Sequence, residues 1–472
     1  MSQIINVDYL VIGAGAMGMA FVDTLLTENP NATFALVDRY NRPGGHWNKA
    51  YPFVRLHQPS KFYGVNSKDL GEDRLDEVGW NRGMYELATG DEVLAYYTKV
   101  LTQRFLPSGR VSYYPLCEYT DNGEFHSIVT GDAYSAGKDT RTVDATFMRV
   151  KVPSMGPPAY SVAEDVNLIT PNALVSLSRP YANYTVVGAG KTGIDACLWM
   201  LSMGIKPRKI TWIMPRDSWF LDRSKLQPKE STQHSALANF KRDAESIMEA
   251  TSADDLLARL GAAGSLLRFS EHVWPTMYRC ATVSLAELEQ VRKIENVVRM
   301  GRVKQISASE VLLDGGKYTP VADTIYIDCT ADGLKSYPPE PVFNGNHLTL
   351  QAVRSCQQVF SAAFIAHVET AYDNDEKRNQ LCSPISHPNQ AFDWLKIRLK
   401  DFENGALWQA EPKTAAWLRQ CRLDLLRGIL PPLPEDPEEK QKILETKEAV
   451  TQACMAKVKK LLDIHDAGVA AA

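Results

Sequence analysis

The stretch YTVVGAGKTGID, residues 184–195, admits two foldings, and the choice between them fixes the chemistry of the chain. Read through GKT, it ends a P-loop, a wide ring of amides around a triphosphate. Read through its glycines, it is G-x-G-x-x-G after an apolar run, a turn that seats a pyrophosphate on a helix N-terminus. The P-loop needs a glycine five residues before Gly190, and Thr185 stands there, inside the apolar run. There is no room for the wider loop. The dinucleotide turn has the flanks it needs: YTVV predicts a strand, IDACLWMLSMG a helix stopped at Gly204, and KITWIMP the next strand. Gly188 permits the tight turn, Gly190 the approach of backbone to phosphate, and Gly193 close packing of helix on strand. Lys191 and Thr192, between the last two glycines, are counted with the cofactor contacts.

The same device stands at the N-terminus. DYLVI leads into Gly13, Gly15 and Gly18, then the helical pattern MAFVDTLLTEN and the strand TFALVD, which ends at Asp38. Asp38 lies 25 residues beyond Gly13, close to where a carboxylate accepts hydrogen bonds from an adenosine ribose. The second copy has Arg216 in the corresponding region, with Arg208 and Arg223 as rivals. A guanidinium suits a 2′-phosphate, which a carboxylate repels. The first turn therefore reads as a site for FAD and the second for NADPH. The expected fold class is α/β: two Rossmann-like dinucleotide-binding domains, for FAD and NAD(P)H, with a helical C-terminal extension.

After Asp38 comes DRYNRPGGHWNKAYPFVRLHQPSKFYGVNS. With its acid, GG-x-W, YP-x-x-R and S-x-x-Y, it resembles the class B flavoprotein monooxygenases, which include flavin-containing and Baeyer–Villiger monooxygenases. The likeness is good over residues 5–67 and 180–220 and thin elsewhere. It implies that Arg39, Gly44, Gly45, His46 and Trp47 lie against the flavin and its phosphates. It also implies that Arg55, His57 and Gln58 sit at the reacting ring, with Ser60 and Lys61 following as in the flavin-containing group. An amide such as Gln58 can serve either polarity of the flavin edge. His57 is either a proton donor there or a packed, hydrogen-bonded imidazole.

The departures are equally plain. The F-x-G-x-x-x-H-x-x-x-[YF] fingerprint of those enzymes is replaced by VNLITPNALVSLSRPYANY, which has no histidine. The usual strand ending in A-T-G appears as two divergent versions, VDATFMRV and YIDCTADG. The function implied is an NADPH-using, FAD-dependent monooxygenase that forms a flavin C4a-hydroperoxide and oxygenates a small organic substrate with O2. Two alternatives stay open: an FAD-dependent dehydrogenase or reductase without oxygen insertion, and a catalytically silent redox-sensing flavoprotein. GGHWNKAYP has no cysteine pair, so a disulfide reductase is excluded.

The 472 residues call for more than one core. The layout expected is an FAD domain at 1–175, an NAD(P)H domain with a helical insertion at 180–320, the rest of the FAD domain at 325–390, and helices over 391–472. In the insertion, 235–268 has helical spacing and WPTMYRCATVS reads as a loop. PPLPEDPEE reads as a linker, followed by a last amphipathic helix that packs on the body or on a second subunit, leaving a homodimer open. A net charge of −4 offers no field for nucleic acid, and no apolar run is long enough to span a membrane. With no targeting signal before the first strand, a cytoplasmic location is the expectation. The eight cysteines form no close pair, which argues against zinc and against a redox disulfide and makes most of them small buried hydrophobes.

Overall fold

The computed structural model describes residues 2–228, 230–429 and 433–471. Its first sheet runs, edge to edge, through Phe343–Asn344, His347–Thr349, Arg141–Asp144, Tyr9–Ile12, Phe34–Val37 and Val111–Tyr114. All pairings but the hairpin at Phe343–Asn344 are parallel. Tyr9–Ile12 is buried along its whole length, as a central parallel strand covered on both faces must be. The second sheet is wholly parallel, in the order Asn167–Ile169, Thr324–Asp328, Asn183–Val187, Ile210–Ile213, Asn296–Val298. The architecture is thus α/β with two doubly wound units, each built around one glycine turn.

The two units share a local plan. In each, the turn strand pairs on one side with the strand after its helix and on the other with a strand that returns later. Ile12 pairs with Val37 and Asp144, and Val187 with Ile213 and Asp328. The two returning strands are the divergent A-T-G segments of the sequence, and they end alike. Asp144 accepts from the amide and hydroxyl of Thr146, and Asp328 from the hydroxyl and amide of Thr330. The second sheet takes in Asn167–Ile169 and Thr324–Asp328, so its strands extend beyond 180–320 at both ends.

Two expectations are corrected. WPTMYRCATVS is not a loop: Met277–Val283 is a strand, in one small sheet with Ser218–Asp222 and Leu266–Arg268. Its β-branched and aromatic residues pack, and Tyr278 and Val283 are buried. The cysteines are not all unpaired either, because Cys280 and Cys356 form a disulfide, while the six free ones are buried. Their separation of 76 residues gives a scan for close pairs nothing to find.

The helices fall where apolar periodicity puts them. Gly90–Val100 is opened by a reciprocal Thr89–Glu92 capping box. The pattern at 235–268 gives Glu230–Glu249 and Ala253–Ala262. The C-terminal helices include Asp393–Ala410, Pro412–Gln420 and Pro437–Ala471. Residues 431–432, at the start of the proline-charged run, lie outside the described residues. These helices pack on the body. The Trp417 indole donates to Glu28 at 2.6 Å and that of Trp408 to the Leu381 carbonyl at 2.7 Å. Arg422 donates to the carbonyls of Lys61 and Tyr63, at 2.6 and 2.9 Å.

A Cβ built on Gly18 would lie 2.0 Å from the Gly13 carbonyl oxygen, and one on Gly193 would lie 2.2 Å from that of Gly188. Backbone blocks both, so helix and strand would have to part. Gly18→Ala and Gly193→Ala are each expected to cost about 3 kcal/mol. The measurement is urea unfolding of purified variants, read as a lowered midpoint.

Candidate functional site

The two turns are near copies in backbone. Gly13 and Gly188 take φ of +99 and +117, which favour glycine. The helix N-caps Gly15 and Gly190 have φ/ψ of −75/−177 and −76/−179. Neither helix, Ala16–Glu28 or Lys191–Ser202, has a side-chain cap or an acid in its first turn. Four other α-helices have a side-chain cap, from Thr89, Ser252, Ser284 and Asn374, whereas Gln358–Ala371, Asp393–Ala410 and Pro412–Gln420 have none. The glycine turns thus keep their amides and the positive end of the helix dipole for an anion.

Around the first turn, the Gly44 amide donates to the Ala14 carbonyl at 2.8 Å. A Cβ on Gly45 would come within 3.0 Å of the Gly15 Cα, so the GG-x-W segment lies against the turn with no room for a side chain. Asp38 is buried, and its two carboxylate oxygens accept from the amides of Ala14 and Tyr40 at 2.6 and 2.7 Å. Burial raises its pKa to about 6, more than these amides and Arg39 lower it. Arg39 itself is exposed and pairs with Glu118 at 2.7 Å. His46 stacks on Trp47, whose indole donates to the Tyr63 hydroxyl at 2.8 Å.

The segment that follows the first turn reaches the second turn. Tyr51 donates to Asp195 at 2.7 Å, and the other oxygen of Asp195 accepts from Lys191. Phe53 stacks on Trp199 of the same helix, with ring centroids 5.3 Å apart. The two glycine turns, 175 residues apart in sequence, are therefore joined through Lys191, Asp195 and Tyr51.

His57 lies at this junction. Its Nδ1 accepts the Thr282 amide at 3.0 Å, which leaves the proton of a neutral ring on Nε2. The fully buried Arg223 grips both ends of that bond: Nε donates to the His57 carbonyl at 3.0 Å and Nη2 to the Thr282 carbonyl at 3.4 Å. Glu287 balances the guanidinium at 2.8 Å. Burial alone would raise the pKa of Glu287, but Lys191 and Arg223 overcome it and hold the carboxyl below its ordinary value.

The remaining expected residues divide. Gln58 is half-buried next to His57, whereas Arg55 is exposed and reaches only the Leu87 carbonyl, at 3.4 Å. Thr192 is half-buried at the mouth of the second turn. Arg216 follows its strand as expected. Its guanidinium, however, donates to the carbonyls of Thr276 and Asn389 at 2.6 and 3.0 Å and to the Gln390 side chain at 2.8 Å. A phosphate there would compete with those oxygens. Of its rivals, Arg223 is buried in its ion pair. Sequence reasoning missed Tyr51, Asp195, Thr282 and Glu287, because each matters through a partner that folding brings from a distance. Tyr51, Asp195 and Thr282 all lay inside quoted stretches, but nothing in those letters names their partners.

No family model matches the chain. "Uncharacterized protein Rv2000" of Mycobacterium tuberculosis is 50% identical over 462 residues, which cover 98% of this chain and 86% of that protein. The chain belongs to its family. A second relative, "Probable FAD-binding monooxygenase AlmA" of Acinetobacter sp, is 28% identical over 102 residues, 21% of this chain and 18% of its own. Among solved structures, cyclohexanone monooxygenase from Rhodococcus sp. Phi1 bound to NADP+ is 14% identical with a TM-score of 0.45, over 78% of this chain and 84% of that one. At that distance, the site is read from its own residues.

Close packing around three rings keeps them neutral: burial lowers the pKa of His46 to about 4 and those of His57 and His387 to about 3. Unfolded, each takes up its proton near pH 6.5. The folded pKa values lie below that, so the stability these rings contribute is present above about pH 6.5 and is lost as pH falls toward 3. Each adds a slope of up to about 1.4 kcal/mol per pH unit within that window. His57→Gln and His387→Gln should each flatten the pH dependence of unfolding free energy by about that amount, as measured by urea melts from pH 7 to about 4.

Proposed function

We propose that this chain is an FAD-dependent, NADPH-using oxidoreductase, and in particular a monooxygenase acting on small organic substrates. One observation carries the reading. Two glycine turns of matching backbone each open on an uncapped helix, and Lys191 and Asp195 of the second meet Tyr51 of the segment that follows the first. The residues present fit two dinucleotides. Each helix mouth offers amides and no carboxylate in its first turn, and the Gly15–Gly45 contact keeps side chains away from the first.

When bound, FAD supplies a ring that takes two electrons from a nicotinamide and passes them on to O2 or another acceptor. The chain holds and orients. Gly13, Gly15 and Gly18, with Gly44 and Gly45, would seat the flavin dinucleotide, and Asp38 would accept from its ribose. Gly188, Gly190 and Gly193, with Lys191 and Thr192, would seat NADPH, and Arg216 could reach a 2′-phosphate only by giving up carbonyl partners. His46 and Trp47 would wall the flavin side. His57, tied at Nδ1 and neutral, offers an Nε2–H donor rather than a positive charge, with Gln58 beside it as a second polar contact. Arg55 has no such hold and would act, if at all, by moving inward from its exposed position.

The segment that replaces the histidine fingerprint favours a second reading, the same cofactors without oxygen insertion. It folds as the short strand Asn167–Ile169 and the helix Pro171–Leu174. Asn172 in that helix donates to the Lys49 and Ala50 carbonyls, at 3.2 and 3.0 Å, so it serves to fasten the flavin segment.

The test is the absorbance of purified protein before and after anaerobic NADPH, then on mixing with O2. A yellow protein bleached by NADPH supports the cofactor assignment; a colourless one that takes up no FAD on reconstitution sinks it. A lasting new absorbance after O2 separates oxygen insertion from simple electron transfer. A Cβ at Gly190 meets nothing within 4 Å, so Gly190→Ala should fold yet fill the phosphate approach. It is expected to weaken NADPH binding at least about tenfold with flavin content unchanged. Because Asp38 ionises near pH 6, flavin retention should fall as pH drops through that value, and Asp38→Asn should remove the dependence.

A further inference from the structure

The disulfide between Cys280 and Cys356 spans 6.3 Å between Cα atoms, within the ordinary reach of such a bond. Both residues hold a left-handed backbone, φ +56 and +59, which residues with side chains seldom adopt. Each stands at a break in regular structure. Cys280 falls where the pairing of Met277–Val283 with Ser218–Asp222 slips, between Trp219–Tyr278 and Leu221–Thr282. Such a slip is a bulge, a place where a strand re-aims its neighbours. Cys356 lies in the turn before the helix Gln358–Ala371, next to Ser355, whose amide donates to Asp401 at 2.9 Å. The bond thus ties the inserted unit to the returning chain of the first. Cys280 is buried, but Cys356 keeps partial exposure.

Two residues beyond Cys280, and first to pair again after the bulge, is Thr282, whose amide holds His57 Nδ1. A change in the bulge therefore passes to His57 through a single intervening residue, Ala281.

We propose that Cys280–Cys356 is a thiol-exchange site, open to a small dithiol at Cys356, whose redox state sets the grip of the Thr282 amide on His57. One thiolate of the dithiol attacks the Cys356 sulfur. The Cys280–Cys356 bond breaks, and Cys280 leaves as a thiolate that takes a proton. The second thiol of the same reagent then attacks the mixed disulfide and releases Cys356 as a thiol. The reagent ends as a cyclic disulfide, two electrons and two protons having passed to the pair. Reduced, the strand is free to relax the left-handed residue at its bulge. Only the importance of His57 rests on the proposed function; the exchange chemistry does not.

The test uses the full-length chain purified without reductant. Denatured and titrated with a thiol reagent, it should show six thiols, the number left free by the one pairing. After dithiothreitol it should show all eight. Eight before reduction overturns the proposal. The native protein, treated with about 1 mM dithiothreitol and then alkylated, should carry label on Cys280 and Cys356 before the other six. A bond that resists reduction until the chain unfolds overturns it too. Finally, acylation of His57 by diethylpyrocarbonate, followed by peptide mass, should differ at least about threefold between oxidised and reduced protein. That difference should vanish in Cys280→Ser and Cys356→Ser. Equal rates in oxidised and reduced wild-type protein overturn the link to His57. None of these readouts needs flavin or NADPH, so a failed cofactor assignment and a failed exchange site give different results.

Discussion

The seat of Gly18 over the Gly13 carbonyl, repeated by Gly193 over Gly188, is the contact on which the rest of the molecule depends. It draws each helix close against its strand at the mouth of the turn. A capping side chain would stabilise such a helix by about 1 kcal/mol. Both turns forgo it, although this chain caps several helices elsewhere. Forgoing the cap twice, with the same backbone, is what a pair of anion seats requires.

Between the two seats the chain uses charge in a way that a stability argument alone would not favour. Taking Arg223 and Glu287 out of water is costly, and an apolar pair of similar volume is often as stable or more so. Here the guanidinium also satisfies the carbonyls of His57 and Thr282 and the Asn81 side chain. It fixes three separate segments relative to one another at the point where the units meet. Lys191 and Asp195 do the same for Tyr51 from the helix of the second turn. The polar junction specifies how the units sit, while the apolar cores beneath them supply the cohesion.

Much of this was legible in the sequence, for reasons that differ by residue. The turns were readable because their constraint is local: Gly13, Gly15 and Gly18, like Gly188, Gly190 and Gly193, act within one strand, one bend and one helix. Asp38 was readable because a strand's length fixes its distance from Gly13. What escaped depends on pairings between distant segments. Met277–Val283 looked like a loop because its proline and aromatic start hid a strand whose partners are Ser218–Asp222 and Leu266–Arg268. The Cys280–Cys356 bond escaped for the same reason. Arg216 was placed correctly just beyond its strand, but its carbonyl partners belong to segments near 276 and 389, which no spacing rule connects to it.

The grip of Arg422 on the carbonyls of Lys61 and Tyr63 has a consequence for how the protein is made. A ribosome delivers the first glycine turn and the segment behind it early, yet that segment is fastened by a residue 361 positions further along. The early strands can pair as they emerge, but the clasp on the segment closes only once Arg422 has been made.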